Sequence, residues 1–162
     1  MLQTLKTPEQ SQPLAWPRVN GVPVVWEACQ TFSGSWGYHR DEQSWRSTTQ
    51  LIQTLIDCVS KGGNLLLNVG PTGRGEFDER ALDRLHGIGR WMHFNSRSIY
   101  GCTQAPDEFV APKDCRLTYN PKKKRLYVHV LAWPYQHLTC WAENLRNGWN
   151  MLSFCTMPAR SR

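Results

Sequence analysis

No stretch of this 162-residue chain approaches the ~18 consecutive apolar residues of a membrane-spanning helix, so no membrane partner is expected. Its first residues, MLQTLKTPEQSQPLAWP, lack the apolar core of about 7–15 residues that a secretory signal carries, and the compartment stays open. No two of the six cysteines stand at C-x-x-C spacing, and the five histidines are scattered. Zinc-finger and zinc-ribbon patterns are therefore absent, and a structural metal is not expected. Free thiols are the default, with a Cys102–Cys115 bridge open to a secreted protein.

Other absences exclude whole reaction classes. The glycine-rich turn Gly70–Gly75 is followed by Glu76-Phe77 where a phosphate-binding loop needs Lys-Ser/Thr. Asp78 sits where a dinucleotide-binding turn needs its third glycine, and an acid there repels a pyrophosphate. No G-x-S-x-G elbow is present for a serine nucleophile. The chain is too short for a complete (β/α)₈ barrel, which needs roughly 200 to 400 residues.

What is present in excess is tryptophan, eight residues, and positive charge, a net +6. Broad indole faces suit core packing and the flat apolar faces of sugars alike. Residues 21–100 hold eight acids and eight bases, whereas residues 101–162 hold nine bases and four acids. The basic cluster Lys122-Lys123-Lys124-Arg125 follows Asn120-Pro121 and reads as a solvated hairpin tip. Four charges without interleaved aromatics make a weak nucleic-acid footprint, so no nucleic-acid partner is expected.

Residues 1–21, with three prolines before Val22, read as an irregular lead-in. Val22–Val25 is a β-branched run, a candidate strand ending at Trp26-Glu27, followed by the loop Ser33-Gly34-Ser35-Trp36-Gly37. Ser47-Thr48-Thr49-Gln50 has the form of a capping box, and Leu51, Ile52, Leu55, Ile56 and Val59 then recur at helical spacing. Gly62-Gly63 stops that helix. Leu65–Val69 does not alternate and reads as a strand buried on both faces. A second helix starts near Asp78, with Leu82, Leu85, Ile88 and Trp91 on one side. Strand, helix, strand, helix is the grammar of an α/β protein with a parallel sheet, over residues 22–101. From residue 102 the grammar is β: 115–119 and 125–131 are strand-like around the Asn-Pro-Lys turn. Residues 140–162 match neither pattern.

The chemistry-bearing candidates cluster after the first strand. A carboxyl beside an indole, as in Trp26-Glu27, can have its pKa raised by desolvation and so suit a general acid. Trp36 and Tyr38 follow in a loop able to cover a pyranose face.

Trp26-Glu27-Ala28-Cys29, then Ser35-Trp36-Gly37-Tyr38, then Gly62-Gly63-Asn64-Leu65-Leu66-Leu67-Asn68-Val69-Gly70-Pro71-Thr72, closely resemble the α-L-fucosidases. Ile88-Gly89-Arg90-Trp91 and Ser98-Ile99-Tyr100-Gly101 fit the same family, so the likeness runs from about Val22 to Pro134. It implies the terminal βα units of a (β/α)₈ barrel followed by the first strands of a C-terminal β-sandwich. It also implies a retaining hydrolase of terminal α-L-fucose on glycans, without metal or organic cofactor. Such enzymes use an aspartate nucleophile and a separate acid/base carboxylate about 5–5.5 Å apart. The resemblance assigns the acid/base to Glu27, with Trp26, Trp36 and Tyr38 as sugar contacts and Asn68 as a structural hydrogen-bonder. The family's nucleophile belongs to an earlier strand, so this chain is expected to be a fragment without turnover of its own. A non-catalytic carbohydrate-binding or structural module is the alternative. Oligomeric state and glycan linkage are not readable.

Overall fold

The computed structural model describes residues 5–133 and Leu152–Thr156. A two-stranded hairpin comes first, β1 (Arg18–Val19) against β2 (Val22–Pro23). Its loop is Asn20-Gly21, both at positive φ (51° and 79°), as a tight hairpin turn requires. The expected strand Val22–Val25 is therefore interrupted. Val22 and Pro23 pair back onto β1, and Val24 N extends that hairpin ladder to Pro17 O at 3.0 Å, so this run belongs to the hairpin and not to the parallel sheet. A new strand, β3 (Glu27–Thr31), begins at Glu27 instead of ending there.

Next come α1 (Thr48–Ser60), β4 (Asn64–Asn68) and α2 (Glu79–Asn95). The capping box forms as expected: Gln50 N donates to Ser47 Oγ at 3.2 Å, and Ser47 N donates to Gln50 Oε1 at 2.8 Å. Gly62, at φ 71°, lets the chain leave α1 and turn into β4. β3 and β4 pair in parallel, from Glu27 opposite Asn64 to Thr31 opposite Asn68.

The lead-in is not wholly irregular. Lys6 bridges Trp26 and Glu9 bridges Cys29, both in parallel sense. Glu27 N donates to Lys6 O, Cys29 N to Pro8 O and Gln10 N to Cys29 O, each at 2.9 Å. These evenly spaced bonds form a parallel ladder, so the segment from Lys6 to Gln10 lies beside β3 as a third extended strip.

Helices cover one face of this sheet. Trp26 and Ala28 pack with Cys58 of α1, while Phe32, Leu51 and Ala81 form an adjoining core with Leu67 and Leu85 beside it. Ile52 and Ile56 are fully buried, each worth about 1.5–3 kcal/mol on burial. On α2 the buried position is Ala81, whereas Leu82, expected in the apolar stripe, is exposed.

A 3₁₀ turn, Ser96–Ser98, leads to a second sheet of β5 (Thr103–Gln104), β6 (Cys115–Asn120), β7 (Arg125–Val130) and β8 (Leu152–Thr156). They stand in that order, with β8 parallel to β7 and the other pairs antiparallel. The β6–β7 hairpin thus forms as read. β8 arises where no element is expected, and the rest of the stretch 140–162 lies outside the described residues. One face of the sheet closes over Phe109, Cys115, Leu117, Leu126, Val128 and Val130. The other meets the helices: Arg116 Nε reaches Asp57 Oδ1 of α1 at 2.7 Å, and the His129 ring lies 6.3 Å from that of Trp91. Cys102 packs with the helix-side core and Cys115 with the opposite one, so the bridge between them does not form.

Candidate sugar-binding rim at the carboxyl ends of the parallel strands

Parallel strands flanked by helices present their carboxyl ends as the usual place for a site. Here those ends are Thr31 and Asn68. The chain leaving Thr31 forms a loop, residues 32–46, that is tied down from three sides.

The first tie is to β4. Asn68 Nδ2 donates to Trp36 O at 2.6 Å, the structural role expected of it. Gly70 lies so close to the backbone of Gly37 and Tyr38 that a Cβ would collide with it. The second tie is internal. Glu42 accepts from Ser35 Oγ at 2.7 Å, from Ser44 N at 2.8 Å and from Ser44 Oγ at 2.7 Å. The Ser44 hydroxyl, then its amide, then the Ser35 hydroxyl pull the Glu42 carboxyl down to about 2. Glu42 is therefore a fixed anion that closes the loop, not a proton donor near neutral pH.

The third tie is to α2. Arg80 Nη1 donates to Glu42 O and Arg80 Nη2 to Arg40 O, both at 3.0 Å, while Asp78 orients the guanidinium at 2.8 Å. Arg84 Nε donates to Arg46 O at 2.7 Å. Both guanidiniums stack on Trp45, 4.9 and 5.1 Å from its ring.

A narrow cleft results, lined by Ser33, Ser35, Tyr38, Glu42, Trp45 and Asn68 among others. Of the sequence-predicted contacts, Tyr38 (38% exposed) lines it, whereas Trp36 (43% exposed) does not, though it lies between Ser35 and Gly37, which do. Trp26 is corrected. It is fully buried on the helix side, its Nε1 donating to Lys61 O at 3.0 Å, and no sugar can reach it. The pleat decides this, because Trp26 and Ala28 point toward α1 while Glu27, Cys29 and Thr31 point away.

Glu27 is half-buried on that other face, at the first residue of β3. At ~3.3 Å rise per residue, it lies about 13 Å below Thr31 along the strand. Glu9, passed over in the sequence, is exposed and level with Cys29, one residue before Gln10, whose Nε2 donates to Thr31 Oγ1 at 2.7 Å. Partners in a parallel ladder share a face, so Glu9 and Glu27 lie on one side of the sheet, Glu9 nearer the rim. A strand signal for Glu9 is missing because Lys6-Thr7-Pro8-Glu9-Gln10 has no apolar alternation.

No aspartate belongs to β3 or β4. Asp57 is held by Lys61 and Arg116, and burial, which opposes ionisation, is outweighed by those bonds, leaving its pKa lowered. Asp78 caps α2, and Asp41 is an exposed neighbour of Arg40. A second, wider groove of about 480 Å³ opens between Gln10, Gln30, Arg46, Gln53 and Asp57, and it holds none of the expected site residues.

Residues 3–97 match the family described as alpha-L-fucosidase. The plasma alpha-L-fucosidase of Homo sapiens is 36% identical over 118 residues, covering 70% of this chain and 25% of the relative. Among solved structures, alpha-L-fucosidase isoenzyme 1 of Paenibacillus thiaminolyticus superposes with a TM-score of 0.68 at 40% identity, covering 72% of this chain and 27% of that one. The Thermotoga maritima alpha-fucosidase in complex with fucose gives 0.55 at 39% identity, covering 59% and 24%. The chain thus spans about a quarter of the length of these relatives. With its matched segment taking in both parallel strands, both helices and the tethered aromatic loop, the chain belongs to the alpha-L-fucosidase family.

Proposed function

We propose that this chain supplies one part of the sugar pocket of a retaining α-L-fucosidase, which releases terminal α-L-fucose from glycans. On this reading residues 22–101 and the strip before them are terminal units of a (β/α)₈ barrel. Residues from 102 onward open a β-sandwich. The observation that carries the reading is the loop 32–46, clamped at the carboxyl ends of parallel strands with the Trp36 ring left free. Trp36 and Tyr38 would then lie against the sugar.

Retaining hydrolysis needs two carboxylates about 5–5.5 Å apart, one attacking the anomeric carbon while the other protonates the leaving oxygen. The attacking aspartate would come from strands outside the described residues, and this chain alone would show no turnover. The motif resemblance favours Glu27 as acid/base, whereas its depth below the rim favours Glu9. A chimaera carrying residues 3–97 in place of the matching segment of the Paenibacillus enzyme tests both points. It should hydrolyse 4-nitrophenyl α-L-fucoside, and a folded but inert chimaera would remove the reading. Glu9→Gln should slow poor-leaving-group substrates by about 10²–10⁴ with little effect on activated ones, the signature of a lost general acid. The same signature from Glu27→Gln would return the role to Glu27.

The exposed Trp36 ring also fits a module that binds sugar without cleaving it. Fucose binding to the isolated chain by calorimetry, abolished by Trp36→Ala, would favour that alternative.

A further inference from the structure

The β6–β7 hairpin, from Cys115 to Val130, carries five arginines and lysines and no acidic residue. Arg116, near its open end, is neutralised by Asp57. At the closed end Lys122, Lys123 and Lys124 are all exposed, and none of them forms an ion pair among the described residues. Arg125 at their base has its Nε enclosed, without a hydrogen-bond partner among the described residues.

The turn that holds them is fixed. Asn120 Oδ1 accepts from Lys123 N at 3.0 Å, and Pro121 restricts φ at the loop's start. Lys124 adopts φ 48°, a left-handed conformation that glycine or asparagine takes more readily. A residue of long cationic side chain thus occupies a position whose backbone does not favour it. Three like charges on consecutive residues, whose Cα atoms are ~3.8 Å apart, concentrate positive potential at the tip. A multivalent anion laid across the tip is drawn to that potential.

We propose that this tip docks an anionic polysaccharide, a chain bearing sulfate or carboxylate groups at close intervals. Single-stranded nucleic acid fits less well, because the tip offers no aromatic face on which a base could stack. A lipid surface fits less well too, because no large apolar residue accompanies the lysines to enter the interface. The site lies outside the fucose-binding rim and does not depend on the glycosidase reading. It would hold an acidic glycan to the protein whether or not that glycan is cleaved.

Heparin-agarose chromatography of the chain tests this. The unaltered protein should be retained at about 150 mM salt, close to physiological ionic strength. The triple variant Lys122→Ala, Lys123→Ala, Lys124→Ala should emerge in the wash, with an unfolding temperature like the parent's. A control losing the same charge elsewhere, Arg74→Ala, Arg90→Ala, Lys113→Ala, should stay bound; these three residues are exposed. Equal loss of retention in both variants would reduce the effect to net charge and overturn the proposal, as would retention of the tip variant. Tighter binding to single-stranded DNA, or to phosphatidylserine vesicles, than to heparin would overturn the choice of partner. Retention is read without turnover, so either result leaves the glycosidase reading untouched.

Discussion

The Asn68 carboxamide at the end of β4 donates from Nδ2 to the backbone carbonyl of Trp36 at 2.6 Å, and the indole takes no part in that bond. A side chain proposed to lie against a sugar would lose part of its free surface if it were also the anchor. Anchoring through the carbonyl fixes the loop without using the ring, and the residue stays 43% exposed.

Asn68→Ala should loosen this loop without unfolding the protein. A net hydrogen bond of about 1 kcal/mol corresponds to roughly a fivefold rise in the open population. Arg40, 83% exposed at its side chain, offers trypsin a bond that is cut only when the loop opens. Tryptic cleavage after Arg40 should therefore quicken about fivefold, and an unchanged rate would mean that the other ties suffice.

Arg80 is the stronger tie, since one guanidinium serves the carbonyls of Arg40 and Glu42, the Asp78 carboxylate and the Trp45 ring. Its side chain is about one-third exposed, which moderates the gain. Arg80→Ala should lower the unfolding temperature by several degrees. Arg80→Lys should recover only a minor part, because an ammonium cannot span two carbonyls in one plane. Differential scanning calorimetry of the three proteins distinguishes these outcomes.

Local signals account for what could be read from the sequence. The capping box at Ser47 and the glycine stop at Gly62 act within a few residues and form as expected, and the unbroken Leu65–Leu67 run forms a strand, though not one buried on both faces, since Leu66 is 51% exposed. The start of β3 was illegible for a local reason too: Val22–Val25 looks like a strand, but the Asn20-Gly21 turn consumes its first half. The Lys6–Gln10 strip was illegible for a tertiary one. Its pairing with β3 depends on backbone bonds to residues some 20 positions away, and no apolar pattern marks it. The Glu42 lock and the two arginines over Trp45 are likewise long-range. Serine, glutamate and arginine in a polar loop carry no periodicity from which such contacts could be foreseen.

His129 makes the protein sensitive to acid. Its ring is fully buried; Thr118 Oγ1 donates to Ser98 O at 2.7 Å and so accepts from His129 Nε2 at 3.0 Å, while Nδ1 has no partner among the described residues. Burial, which penalises the charged ring, pushes its pKa from 6.5 down to about 4. Because the folded value is the lower one, the unfolded chain takes up the proton first as pH falls. Stability is then unaffected above pH 6.5 and lost between there and about 4, by about 2 kcal/mol at pH 5. Urea midpoints at pH 7.5 and pH 5 should differ accordingly, and His129→Gln should remove most of that difference while lowering stability at both. A difference that survives the substitution would assign the acid sensitivity to other groups.

Gly70 and Gly73 give a matched pair for judging whether the backbone of the rim is packed as tightly as its hydrogen bonds suggest. A methyl group added at Gly70 meets the main chain of Gly37 and Tyr38, and main chain has no alternative rotamer to adopt. At Gly73, in the same connection, nothing lies within 4 Å. Gly70→Ala should therefore displace the Trp36 loop, cost about 1–3 kcal/mol as overpacking does, and speed the tryptic cut after Arg40. Gly73→Ala should change neither measurement by more than a few tenths of a kilocalorie, since a substitution in open space has nothing to disturb. Similar behaviour of the two variants would mean that the loop yields easily at Gly70. The loop would then be held by its hydrogen bonds to Asn68, Arg80 and Arg84 and within the Glu42 cluster, and the rim would be a surface that adjusts rather than one formed in advance.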